Sequence, residues 1–271
     1  MFEVRWTMLE AEYAAMRQAE ERHWWYLGLH DQVRRALARC RGLVSGPGRV
    51  LDAGCGTGKV LELLADVKPV GLDLSATALS LARERGDFPL VRASAVTLPF
   101  ADAAFDVALS LDVLANVPPC DVPAAFAELY RVLAPGGALI LNLVAFQALY
   151  AEHDRAVGVV RRYRAGEVRE MLAGAGFALD ILSYSNTLLF PAAALVRLAR
   201  RRRRPDCEPV SDLTPLPGPL NAALAAVRRL ENAIIVGQKR TFPFGLSVFA
   251  LARKPGRGIS GNFQRNAGKG L

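Results

Sequence analysis

The stretch Val50-Leu-Asp-Ala-Gly-Cys-Gly-Thr-Gly58 leads from an apolar run, Arg49-Val-Leu-Asp-Ala53, into glycines at alternate positions. Bounded upstream by Gly46-Pro47-Gly48, so short an apolar run reads as a buried strand. Gly54, Gly56 and Gly58 let the backbone turn sharply and approach a ligand closely. The helix expected from about Gly58 to Ala65 would point free N–H groups and a positive dipole end at the same place. In an open α/β sheet, ligands bind at the carboxyl ends of strands. Two nucleotide-binding readings fail there. A P-loop needs four residues between its glycines and Ser or Thr after the lysine, but Gly54 and Gly58 enclose three and Val60 follows Lys59. A dinucleotide fingerprint beginning at Gly54 needs glycine where Lys59 stands, and it leaves Asp52 without a role.

Working outward, strands are expected over 69–74, 88–93, 105–111, 138–144, 177–184 and 246–253. Helices are expected over 76–85, 122–133 and 164–174. Ser75 is placed to cap the first of these, and Gly86 to close it. Strands alternating with helices through short links predict a parallel sheet covered on both faces. Residues 8–40 read as one or two helices, with Gly28 as the break. Between 187 and 242 the character changes to an apolar-to-basic helix, a Pro-rich stretch, and an amphipathic helix whose Leu220, Leu224, Val227, Leu230 and Ile234 share one face. The division expected is lid helices over 1–45, a core over 46–186, a helical cap over 187–242, the last core strand over 243–254 and a tail over 255–271.

Four motifs in order over about 90 residues resemble the class I S-adenosylmethionine-dependent methyltransferases, of the type 11-like kind. They are the glycine stretch, Val70-Gly-Leu-Asp-Leu-Ser75, Leu98-Pro-Phe100 with Phe105-Asp-Val-Ala-Leu-Ser-Leu-Asp-Val-Leu-Ala-Asn-Val117, and Glu128-Leu-Tyr-Arg-Val-Leu-Ala-Pro-Gly-Gly137. The resemblance implies a Rossmann-like, doubly wound seven-stranded sheet, mostly parallel with its last strand antiparallel, and a helical cap. It also implies a cofactor site of Asp52, Gly54, Cys55, Gly56, Gly58, Asp73, Leu74, Ser94, Ala95, Leu111 and Trp25. Asp73 would accept both ribose hydroxyls of S-adenosylmethionine, since a carboxylate only accepts. Asp52 would order the turn and face the ammonium. Ser94 stands where relatives often carry an acidic residue for the adenine amino group, and Asn116 where they commonly carry histidine. Glu20-Glu-Arg-His-Trp-Trp-Tyr-Leu27 resembles a lid found in a bacterial subset, in which Trp24, Trp25 and Tyr26 would close over a cation or simply pack. His153, Asp154 and Arg161-Arg-Tyr163 share that subset's spacing. His153 is the candidate base, because histidine titrates near neutrality, and Tyr163 and Asn116 complete the expected catalytic set.

The expected activity is in-line O- or N-methyl transfer to a small-molecule, glycan- or lipid-linked acceptor. Two alternatives are a C-methyltransferase of a quinone or other lipid, and a non-catalytic binding regulator or scaffold. The net charge is +8, and Arg197 with Arg200–Arg204 supplies six positive charges locally. That pattern predicts no chain-wide nucleic-acid surface, and it suggests peripheral membrane contact through 188–204. The cysteines and histidines show no zinc-type spacing, so no metal is expected. The scattered cysteines suit the cytoplasm. The uncharged run Val132–Ala151 is broken by Pro135, Gly136 and Gly137, and no spanning helix is expected.

Overall fold

The computed structural model describes residues 8–41, 48–67, 69–191, 194, 195 and 216–256. Strands β1 (Val50–Ala53), β2 (Val70–Asp73), β3 (Leu90–Arg92), β4 (Phe105–Leu111), β5 (Leu133–Val144), β6 (Ala178–Ser185) and β7 (Ser247–Arg253) form one sheet. Its order is β3-β2-β1-β4-β5-β7-β6. Every neighbouring pair from β3 through β5 is parallel, and β7 lies antiparallel between β5 and β6. The expected seven-stranded α/β sheet with an antiparallel last strand is therefore present. β1 and β4 are almost wholly buried, as their unbroken apolar runs require. β5 begins earlier than expected, running back through Pro135-Gly136-Gly137 to Leu133.

Helices α1 (Glu10–Arg22) and α2 (Trp24–Arg41) precede the sheet, and α3 (Lys59–Leu63), α4 (Ala76–Arg83), α5 (Val122–Val132), α6 (Glu152–Ala156) and α7 (Ala165–Gly174) connect its strands. Ser75 caps α4 by accepting from the Ala78 N–H at 3.2 Å. The third and fourth sequence motifs are physically coupled. Glu128 on α5 accepts from the Leu98 N–H at 2.7 Å, and Arg131 donates to the Leu98 and Phe100 carbonyls at 3.0 and 2.8 Å.

Two expectations about the lid and cap need correction. The break between the first helices falls at extended His23, not at Gly28, which lies inside α2. A Cβ on Gly28 would stand 2.8 Å from both Cβ and Nε of Arg228, so the missing side chain lets two helices touch. The second of them, α8 (Gly218–Asn232), does not bury the apolar face its sequence suggests. Leu220 and Leu230 are exposed, while Ala225, Arg228, Glu231 and Asn232 are buried. This face docks through paired polar groups. Arg228 meets Glu231 at 3.2 Å, Glu231 accepts from the Thr187 N–H at 3.0 Å, and Asn232 donates to the Gly28 carbonyl at 2.8 Å. These bonds offset much of the cost of burying the groups, although Arg228 Nε and Asn232 Oδ1 remain unpartnered. The arginine run Arg200–Arg204, with residues 192, 193 and 196–199 before it, lies outside the described residues.

Candidate active site

A cavity of about 1000 Å³ opens where β1, β2 and β4 end, roofed by α1 and α2 and flanked by α8. Pockets for small molecules span roughly 300–1,000 Å³, so this one is large enough for two ligands side by side. Its floor is the glycine turn. Gly54 and Cys55 donate their N–H groups to the Leu72 carbonyl at 2.7 and 2.9 Å, pinning the turn to β2. Gly54 has φ +98°, and a Cβ there would fall 2.0 Å from Val113, so no other residue fits. Gly58 differs from its expected role. It does not line the cavity, and its missing side chain leaves room for Ala82 of α4, which a Cβ would meet at 2.8 Å.

Asp73 ends β2 with each oxygen holding one backbone N–H, that of Gly56 and that of Ser75, both at 2.9 Å. A carboxylate has about four acceptor positions, so capacity remains toward the cavity. Asp52 is the penultimate residue of β1, 1% exposed, with Oδ1 buried and unpartnered. Burial, with the charges of Asp73 and Glu20, pushes its carboxyl up to about 7. Burial also raises Asp73 and Glu20 above the ordinary carboxylate range. Three acidic groups thus face one space, and among the described residues no cation pairs with Asp52 or Asp73. The site suits a ligand bringing hydroxyls and positive charge, as a ribose and an amino-acid ammonium would. Cys55, Leu74, Ser94, Ala95, Leu111 and Trp25 also line the cavity, as expected. Ser94 accepts from the Val96 N–H at 3.2 Å.

The lid is fastened through charge. Glu20 accepts from Thr57 Oγ1 and pairs with Arg85 at 2.9 Å, while Lys59 and Arg85 hold Glu21 at 2.8 and 2.6 Å. Asn221 of α8 accepts from the Trp24 N–H at 2.9 Å and donates to the Arg22 carbonyl at 2.7 Å, bridging the lid's own break. Trp24, Trp25 and Tyr26 all reach the cavity, Trp25 and Tyr26 meeting edge to face at 4.8 Å. The sequence reading missed Tyr13 and His30 in the roof. Burial drives the Tyr13 phenol to about 12 and the His30 ring down to about 4. Their only sequence signal was a place on an amphipathic helix.

Asn116 and His153, the residues expected near the acceptor, line the cavity. Asn116 donates to the Val157 carbonyl at 2.9 Å, and its Oδ1 is buried without a partner. Tyr163 does not belong with them. It is fully buried away from the cavity, and its hydroxyl donates to the Leu114 carbonyl at 3.0 Å, bracing the exit of β4. Asp154 is committed elsewhere than His153. Arg162 grips it at 2.7 and 3.1 Å, and the Ala151 N–H donates to it at 2.7 Å. Asp112, Val144, Val157, Val159, Leu189 and Leu246 complete this wall, none of them anticipated from sequence.

The comparisons with known proteins agree with this geometry. A family model described as a methyltransferase domain matches residues 51–141. A Mycolicibacterium smegmatis protein named a probable S-adenosylmethionine-dependent methyltransferase is 30% identical over 88% of this chain and 91% of its own length. A demethylmenaquinone methyltransferase of Thermus thermophilus is 36% identical over 36% of this chain and 48% of that protein. The solved structure of an S-adenosylmethionine-dependent methyltransferase of Thermotoga maritima, described as a possible histamine N-methyltransferase, shares the fold. Its TM-score is 0.55 at 21% identity, over 88% of this chain and 95% of that one. A sheet of this order with an acidic, glycine-floored cavity defines a class I cofactor-binding transferase. The chain belongs to the S-adenosylmethionine-dependent methyltransferases, and S-adenosylmethionine is its cofactor.

Proposed function

We propose that this methyltransferase serves biosynthesis by methylating oxygen or nitrogen of an apolar acceptor, a lipid-linked small molecule or glycan. The observation that carries this reading is the acceptor wall. It is built from Val144, Val157, Val159, Leu189, Leu224 and Leu246, while Asp154 and Arg162 neutralise one another. A strongly hydrated acceptor would lose its water there and regain few hydrogen bonds beyond those offered by Asp112, Asn116 and His153, whereas an apolar one gains free energy with every bit of surface buried. S-adenosylmethionine supplies a methyl group already activated on a sulfonium. The residues of this chain have to bind and align. Asp73 receives ribose hydroxyls, Asp52 faces the ammonium, Ser94 and Ala95 border the adenine, and Trp25 offers an aromatic face to positive charge. Asn116 and His153 border the acceptor. Alignment alone is worth ~7–11 kcal/mol of barrier.

Carbon methylation of a quinone or other lipid is the second reading. It is favoured by the same apolar wall and by the likeness to the demethylmenaquinone methyltransferase. We further propose peripheral contact with the cytoplasmic face of a membrane through 188–204. Leu188 and Leu195 are exposed, the arginine run follows them in the sequence, and no helix among the described residues is long and apolar enough to cross. The protein should be incubated with methyl-labelled S-adenosylmethionine and fractionated bacterial lysate. Label is expected in the organic extract of the membranes. Label confined to polar, water-soluble products would overturn the apolar-acceptor reading.

A further inference from the structure

Asp112 lines the cavity with its backbone and its side chain both held by one residue of the neighbouring strand. It follows the last residue of β4 with φ +60°, a left-handed conformation that a non-glycine residue adopts only where its surroundings enforce it. The enforcement comes from Asn142 on β5, itself 1% exposed. The Asp112 N–H donates to the Asn142 carbonyl at 2.8 Å, and Asn142 Nδ2 lies 3.0 Å from each carboxylate oxygen of Asp112. One bifurcated donor leaves most of the carboxylate's acceptor capacity unused. Asp112 lines the same cavity as Asp52, Leu111, Asn116 and His153, and in sequence it stands between Leu111 and Asn116.

We propose that Asp112 is the catalytic proton acceptor of the transfer, held at the junction of the two halves by Asn142. This rests on the reading that the acceptor occupies the half beside Asn116. The acceptor's O–H or N–H proton passes to the Asp112 carboxylate while the oxygen or nitrogen forms its bond to the methyl carbon. The methyl–sulfur bond breaks, and its electron pair stays on sulfur. The groups facing Asp112 suit this. Asp154 and Arg162 are charged but spent on each other. Tyr26 on α2 holds its phenolic proton more firmly because of its burial and the nearby charges of Glu20 and Asp112. Asp52 and His153 share the cavity. Burial, opposed by Asn142, brings the Asp112 carboxyl to about 7, where a base works best at neutral pH.

Two measurements on the full-length, cofactor-loaded protein decide the matter. In carboxyl-carbon NMR, the resonance missing from Asp112→Asn should titrate near neutrality; titration in the ordinary aspartate range overturns the proposal. In transfer of labelled methyl to a membrane lipid extract, Asp112→Asn should be at least about a hundredfold slower. It should also lose the rising limb of the pH–rate profile and bind the cofactor within about twofold of wild type. Full-rate transfer by this variant, with His153→Ala inactive, overturns it in favour of His153. If wild type labels no lipid, the acceptor reading fails by itself, and the NMR result alone supports or overturns Asp112 as the base.

Discussion

At the cofactor end of the cavity, Asp52 and Asp73 face inward with acceptor capacity in hand and no paired cation among the described residues. At the acceptor end and behind it, the charges are consumed by one another: Asp154 by Arg162, and Glu231 by Arg228. The first arrangement is unfavourable until a ligand arrives, because buried like charges repel and an unpaired acceptor has lost its water. The second is complete without a ligand. The difference separates residues held for binding from residues held for architecture, although both are buried and charged.

Breaking the architectural side should produce the largest effect. Arg162→Ala would leave Asp154, 1% exposed, as a lone buried charge. Removing one partner of such a pair costs ~3–5 kcal/mol, so chemical denaturation should show a loss of that order. Arg162→Ala with Asp154→Ala should recover much of it. A single variant as stable as wild type would show that the pair is not what completes this wall.

On the binding side the sign should reverse. Asp52 keeps its proton in the folded chain up to about 7, whereas unfolded aspartate releases it near 4. The folded state therefore binds the extra proton between those values. Asp52's contribution to stability is greatest below about pH 4 and is lost as pH rises through about 7. Asp52→Asn should match wild type at low pH and exceed it by on the order of 2–4 kcal/mol above neutrality. The same substitution should weaken S-adenosylmethionine and abolish its pH dependence, since wild-type affinity should rise as Asp52 ionises. Melting curves and calorimetric titrations across the neutral range check both. A variant less stable at every pH would place Asp52 with the architecture.

Much of the cofactor half was legible in the sequence because it is local. The first two strands, the turn glycines Gly54, Gly56 and Gly58, and the aspartates Asp52 and Asp73 lie within Val50–Ser75, and each follows from how strands end and helices begin. Leu98-Pro-Phe100 and Glu128–Arg131 were legible too, being two sides of one hydrogen-bonded contact. The cap was not. Periodicity assigns α8 its apolar face, but the face that docks is set by Arg228 meeting Gly28, some 200 positions away in sequence, as for Asn232 and the same glycine. Tyr163 was misread for the same reason. An Arg-Arg-Tyr spacing cannot tell a phenol facing a ligand from one spent on the Leu114 carbonyl. Asp112 gave no signal, since its importance lies in a positive φ and in Asn142 on another strand.

The central claim, that the acidic, glycine-floored end of the cavity is held open for the cofactor, rests most directly on Asp73. S-adenosylmethionine should be titrated calorimetrically into wild type and Asp73→Ala at one pH above neutrality. Losing acceptor bonds from a charged group to two hydroxyls should weaken binding by ~2–4 kcal/mol, or roughly thirtyfold to a thousandfold. The variant should stay folded, because the sheet pairing of β2 does not depend on that side chain. Equal affinity in the two proteins would contradict the account.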